Sequence, residues 1–179
     1  MTDLPWTMEL RDARDRANWT ALGALMTRVA DPYGRDPSED HVTGSGFVVS
    51  PCRGFTLLVH HAKLGRWLQP GGHCDGDPDV AGVAAREVFE ETGQRARLMS
   101  PRLFDIDIHE IPARPDAPAH FHYDLRFLFE ADPANALLGN EESHDLRWVA
   151  LDDLPRYAPQ HSVCVLREKL PLWRAETGE

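Results

Sequence analysis

A chain of 179 residues is the size of one domain, or of one domain with a helical extension, and buries roughly 70% of its unfolded surface without a disulfide or metal staple. With 42% apolar and 27% charged residues its composition is globular, which excludes a disordered or collagen-like chain. A formal charge of -10 repels nucleic-acid backbones and anionic membranes, yet leaves phosphate ligands open wherever a divalent cation intervenes.

Met1 to Leu10 carries Asp3 and Glu9 and lacks an apolar core, so no secretory signal is expected. The first thirty residues read as helix. Leu22, Leu25, Met26 and Val29 recur at helical spacing behind Arg11, Asp12, Arg14, Asp15 and Arg16, and Asp31-Pro32-Tyr33-Gly34 stops the run. From Val42 the texture becomes strand-like, with short runs at Gly46 to Val49 and Phe55 to Val59 separated by a Ser-Pro-Cys-Arg-Gly turn. After a central helix, Leu103 to Ile108 alternates, Phe104, Ile106 and Ile108 opposing Asp105 and Asp107. Phe121 to Phe129 alternates more fully. Pro112, Pro115 and Pro118 make the connection between these two strands irregular. A last strand at Leu146 to Ala150 and a helix around Ser162 to Leu170 complete an α/β pattern. Residues 1–40 are expected to be a helical extension packed on a domain of residues 41–179. Cys52, Cys74 and Cys164 are odd in number and widely spaced, so free thiols and a cytoplasmic setting are expected. No run approaches the ~18 apolar residues of a membrane span.

Residues 70–93 carry the chemistry. Asp77 followed by Pro78 is a helix start, and Gly93 is a natural C-terminal cap, which predicts a helix of about sixteen residues. At about 100° per residue, Glu87, Glu90 and Glu91 share an arc of about 100°. They border a stripe of Val80, Ala81, Ala84, Ala85 and Val88, so the acids sit at the edge of the core. Three like charges so placed repel, and Arg86, able to bridge to Glu90, cannot neutralise all three. A hard divalent cation would; Mg²⁺ is held through carboxylates and substrate phosphates. Gly71-Gly72 ahead of the helix lets the backbone come close to a ligand and exposes carbonyls near the same carboxylates.

This stretch resembles the Nudix box, G-x5-E-x7-R-E-U-x-E-E-x-G-U with U a bulky apolar residue. Gly72, Arg86, Glu87, Val88, Glu90, Glu91 and Gly93 match in register, and Trp67-Leu68-Gln69-Pro70-Gly71 resembles the family's approach strand. Two positions depart: Pro78 replaces a glutamate, with Asp77 or Asp79 available in its stead, and Gln94 replaces the last apolar residue. The resemblance implies a Nudix-like α/β/α sandwich of mixed sheets and hydrolysis of a diphosphate linkage in a nucleoside diphosphate derivative. It implies Mg²⁺, with Mn²⁺ as the alternative ion, held by Glu87, Glu90, Glu91 and the Gly71 carbonyl. Arg86 is then expected to orient a carboxylate. Glu142, next to Glu141 ahead of Leu146-Arg147-Trp148, stands where a later-loop general base would come from, or else belongs to a solvated acidic turn.

Other residues have chemistry to offer. Lys63 and Arg66 suit phosphate, and Trp67 is either a stacking surface for a base or a core side chain. The chain has nine histidines; His120 and His122 share a strand face, and with His73 they suit a transition metal, phosphate, or a plain structural role. The expected partner is a small nucleotide-type substrate, with no nucleic acid and no membrane, and with a homodimer allowed. Two alternatives remain: a Nudix-like module that binds nucleotides or sugar nucleotides without cleaving them, and an isoprenyl-diphosphate isomerase using Cys74.

Overall fold

The computed structural model describes residues 4–173. Residues 4–12 are not helical; Met8 bridges in parallel to Leu103. Helix α1 begins only at Ala13 and runs to Arg28, because Asp12 adopts an extended backbone and caps the Asp15 N–H. It buries Leu22 and Leu25. Strand β1 (His41–Val49) is buried along its whole length, which explains why it shows no alternation: a central strand covered on both faces has no solvent side. β2 (Phe55–His61), β3 (Arg66–Leu68) and β4 (Gly71–His73) follow, then helix α2 (Val80–Thr92) and β5 (Arg97–Leu98). β6 (Asp105–Ile111), β7 (His120–Glu130) and β8 (Ser143–Ala150) lead to α3 (Leu154–Tyr157) and α4 (His161–Lys169).

The strands join in one mixed eight-stranded sheet. Its spine is β3-β2-β1-β7-β5, with β4 on β1, β6 on β7 and β8 on β2. Among the described strands only β1 and β7 pair in parallel, with His41 opposite His122 and Val49 opposite Glu130. Two clusters of buried side chains cover its faces. One gathers Leu22 and Leu25 of α1, Val80, Val83 and Val88 of α2, and Tyr123, Leu125, Phe127 and Phe129 of β7. The other gathers Phe47, Leu58 and Leu128 with Leu154, Val163 and Leu166. Helices on both faces of one sheet make the expected α/β/α layering.

Two details differ from the sequence reading. The short strands β3, β4 and β5 are too brief to show a period. Phe104 precedes β6 and stacks on Phe47 at 5.5 Å in the second cluster, whereas Ile106 lies in the first. The alternation that placed both on one face therefore begins only at Asp105.

Candidate active site

The helix that carries the glutamates starts later than its Asp-Pro signal suggests. Asp77 accepts the Asp79 N–H at 3.0 Å in a turn around Pro78, and Asp79 is the actual cap, accepting the Gly82 N–H at 3.1 Å. The helix is therefore 13 residues long and ends at Gly93, whose φ of 73° is the left-handed conformation that favours glycine. Both aspartates that could replace the missing box glutamate thus have local structural work.

Helix α2 is pressed onto β1 at two glycines. A Cβ on Gly44 would lie 2.9 Å from the Val80 carbonyl oxygen, and one on Gly46 would lie 2.5 Å from Val88 Cγ2. This contact turns Glu91 and Glu87 towards β4. Gly71 donates its backbone N–H to the Glu91 carboxylate at 3.1 Å. Gly72 leaves room for Glu87, since a Cβ there would meet all three carboxyl atoms between 2.6 and 2.9 Å. Glu91 is buried, Glu87 half-buried and Glu90 exposed, so the cluster runs from the core out to solvent.

These carboxylates lack a cationic partner equal to their charge. Burial pushes Glu91 up to about 7; the Gly71 N–H opposes this, and Glu87, Glu142 and Glu90 add to it. Glu87 is raised by burial first and then by Glu90 and Glu142, against Arg86. Arg86 forms no bridge to Glu90; it reaches back 3.6 Å to Asp77, because the acid N-terminal to the helix lies on its own side. At that length, between half-exposed side chains, the pair is worth little.

Glu142 is exposed, yet its charge acts on both Glu87 and Glu91. The preceding loop is tied over the end of α2: Leu138 N–H donates to Thr92 O at 2.9 Å, and Leu138 packs where a Gly93 Cβ would be. Gln94, the polar residue at the last box position, is buried and donates its side-chain amide to Ala136 O at 2.9 Å, helping to hold that loop. Ala62 N–H donates to the Glu142 carbonyl at 2.8 Å, so the turn bearing Lys63 sits beside Glu142. Lys63 and Arg66 are exposed. Trp67 is half-buried rather than a core side chain: it stacks on His60 at 4.9 Å, meets Tyr157 edge-on at 5.8 Å and lies 5.4 Å from the Arg147 guanidinium. A groove of 520 Å³ lies between Arg66, Trp67, Tyr157 and Gln160.

His73 and His122 lie on the face of the sheet away from α2, the face on which Trp67 and Tyr157 also pack with the second cluster. Gly44 and Gly46 face α2, so His41, Thr43 and Ser45 face away from it, and the pairings His41–His122 and Thr43–His73 bring His122 and His73 to the same side. His120 stacks on His41 at 5.2 Å. Burial is the main reason that His73 falls to about 4 and His122 to about 2, with neighbouring cations and rings adding to it. Below them Asp124 accepts from Ser45, Thr43, Gln69 and Arg126. Arg126 also pairs with Asp105 and Asp107, and Lys169 of α4 with Asp15 of α1 and Asp105. His41 and this charge network were missed in the sequence; the signals were the Asp105/Asp107 alternation and the Asp124/Arg126 alternation of the next strand. Cys74 is buried, and burial followed by Asp77 and Asp124 pushes its thiol up to about 12, which leaves it protonated and a poor nucleophile at neutral pH.

The NUDIX domain family model matches residues 40–168. The phosphatase NudJ of Escherichia coli (strain K12) is 32% identical over 119 residues, covering 64% of this chain and 71% of that protein. Among solved structures, a NUDIX-family hydrolase from Clostridium perfringens aligns with a TM-score of 0.54 at 26% identity, covering 74% of this chain and 97% of that one. The fold also matches the E. coli dihydroneopterin triphosphate pyrophosphohydrolase, with a TM-score of 0.60 at 13% identity over 78% of this chain and 97% of that one. Among the described residues no helix is long and apolar enough to cross a membrane. Family match, box and buried glutamate cluster agree: the chain belongs to the NUDIX family and is a hydrolase of phosphorus-containing acid anhydrides.

Proposed function

We propose that the protein is a Mg²⁺-dependent hydrolase that cleaves the diphosphate linkage of a nucleoside diphosphate derivative, with Mn²⁺ as the alternative ion. The observation that carries this reading is the Glu91 carboxylate, buried and held by the Gly71 N–H among Glu87, Glu90 and Glu142 without a matching cation. An all-oxygen donor set of this kind suits a hard divalent ion, and Glu87, Glu90, Glu91 and the Gly71 carbonyl would hold it. When bound, such an ion neutralises the diphosphate and acidifies the attacking water.

The residues of the chain do the rest. Glu142 takes the proton of the attacking water as its oxygen bonds to phosphorus. The anhydride P–O bond breaks, and the departing phosphate keeps the electron pair. Lys63 and Arg66, on the turn beside Glu142, contact the phosphates, and the groove along Trp67 and Tyr157 receives the nucleoside. Arg86 steadies the start of the box helix through Asp77 and so the carboxylates that follow it. His73 and His122 face away from the glutamates and take no part in phosphate contact.

The test is product analysis after incubation with ADP-ribose, nucleoside triphosphates and dinucleoside polyphosphates, with and without Mg²⁺. Cleavage of at least one diphosphate only with the ion present is expected. Glu91→Gln keeps an acceptor for Gly71 and should fold, but the several kcal/mol that a metal supplies imply a loss of about 100-fold or more in turnover. Unchanged turnover in a folded Glu91→Gln protein would refute the ligand assignment. Binding of these compounds without cleavage would instead favour a sensor module.

A further inference from the structure

The geometry points to a second cation site, for a borderline divalent transition ion such as Zn²⁺, formed by His41, His73 and His122 on the face of the sheet opposite the box glutamates. Each of the three offers one ligand atom, and these atoms lie within 4.8 Å of one another. Their ring centroids are 4.5 to 5.3 Å apart. They come from three strands, β1, β4 and β7, whose hydrogen-bonded register fixes the spacing.

The donor atoms are set up for a metal. His41 is 2% exposed. Its Nδ1 lies 2.9 Å from the Glu39 carbonyl, which can only accept, so Nδ1 carries the proton and Nε2 holds the lone pair. That Nε2 is buried and has no hydrogen-bond partner among the described residues. A buried, unsatisfied nitrogen is destabilising, and an ion shared with two neighbouring imidazoles removes that cost. A carbonyl bonded to the far ring nitrogen is also the usual way in which a ligating histidine is oriented. His120 is arranged in the same way, its Nδ1 on the Pro118 carbonyl at 3.2 Å and its ring 5.2 Å from His41. Its ring borders the three-histidine group without being part of it.

The donor chemistry selects the ion. Neutral imidazoles suit Zn²⁺ and its neighbours, whereas Mg²⁺ takes oxygen. Metal–nitrogen bonds of about 2.0–2.1 Å require nitrogens about 3.4 Å apart in a tetrahedral site, which small side-chain rotations supply from the present spacing. An ion here clips β4 to β1 and β7. β4 also carries Gly71 and Gly72, against which Glu91 and Glu87 lean. The site is independent of the proposed hydrolysis and stands or falls separately.

The experiment is calorimetric titration of the untagged, metal-free full chain with ZnCl₂ in the absence of any nucleotide. One high-affinity equivalent is expected. The His73→Gln and His122→Gln variants should each bind at least about 10-fold more weakly, as loss of metal-site support does. A Glu87→Gln/Glu91→Gln double variant, which disables the glutamate cluster, should keep the equivalent. X-ray absorption at the zinc edge of the unmodified loaded protein reports the ligands without relying on any variant, and should show a nitrogen shell at about 2.0–2.1 Å. Absence of binding, an oxygen-only shell, or binding lost with the two glutamates and kept without the histidines would each overturn the site.

Discussion

The Gly71 N–H and the Glu91 carboxylate meet at 3.1 Å, tying β4 to the box helix at the buried end of the acidic cluster. One residue on, Gly72 and Glu87 are in contact with no room for a side chain between them. The two glycines thus have different uses: one supplies a donor, the other supplies space.

That distinction predicts the effect of Gly72→Ala. The added methyl would come within 2.6 Å of the Glu87 carboxyl carbon. Glu87 is flexible enough to swing aside, so the stability cost should stay within about 1 kcal/mol. A displaced ligand is nevertheless costly to chemistry, where misplacement by about 1 Å removes roughly 100-fold in rate. Steady-state turnover should fall by about that factor while the urea midpoint barely moves. An alanine protein with wild-type turnover would mean that Glu87 is not a working part of the site.

Glu142→Gln isolates the proposed proton acceptor. General-base catalysis contributes typically about 10²–10⁴-fold. The variant should lose turnover in that range, with its fold and Mg²⁺ binding preserved because Glu142 is exposed and outside the glycine contacts. Comparing kcat with the Mg²⁺ dissociation constant separates this role from that of a ligand. A protein weakened only in Mg²⁺ binding would place Glu142 among the ligands.

Lys169 is 3% exposed and pairs with Asp15 and Asp105, joining α4, α1 and β6. Lys169→Met removes the cation and leaves the buried Asp15 carboxylate without a side-chain partner, while Asp105 keeps Arg14 and Arg126; breaking such a buried pair costs about 3–5 kcal/mol. Chemical denaturation should read that loss. Arg97→Ala, which breaks the Arg97–Glu130 pair with the arginine largely exposed, should cost under about 1 kcal/mol in the same assay.

The same network predicts an acid limit. Burial opposes ionisation of Asp107, but the His109 hydrogen bond and the Arg126 and Arg14 guanidinium groups outweigh it and hold the carboxyl below its ordinary 3.8. Asp105 is lowered likewise: burial acts against it, and Arg126, Arg14 and Lys169 prevail. A depressed folded-state pKa means that the unfolded chain takes up protons first as pH falls. The stabilisation is therefore complete above the unfolded value and lost progressively below it. The carboxylate contribution to the denaturation midpoint should be lost below about pH 4. The buried neutral His41, His73 and His122, also depressed, start a separate loss near pH 6.5, so the difference between wild type and Asp107→Asn isolates the carboxylate part. Asp107→Asn should be less stable at pH 7 and show a shallower fall in acid.

How much could be read in advance depended on how far apart the cooperating residues lie in the chain. Glu87, Glu90 and Glu91 belong to one helix, whose period alone puts them on one side; the box, the family and the acid cluster were legible for that reason. The alternation of β7 from Tyr123 to Phe129 was equally local, and those residues line one core. What the fold decided is non-local. His41 meets His122 only because β1 runs parallel to β7 in one particular register, and a slip of one residue would turn the ring to the opposite face. Asp15 and Lys169 are 154 residues apart and meet around the β6 edge. Glu142 comes into electrostatic range of Glu87 and Glu91, and the loop ahead of it packs on Gly93 and Gln94. Side-chain periodicity is written in neighbouring residues, whereas strand register and loop docking are set by the packing of the whole chain.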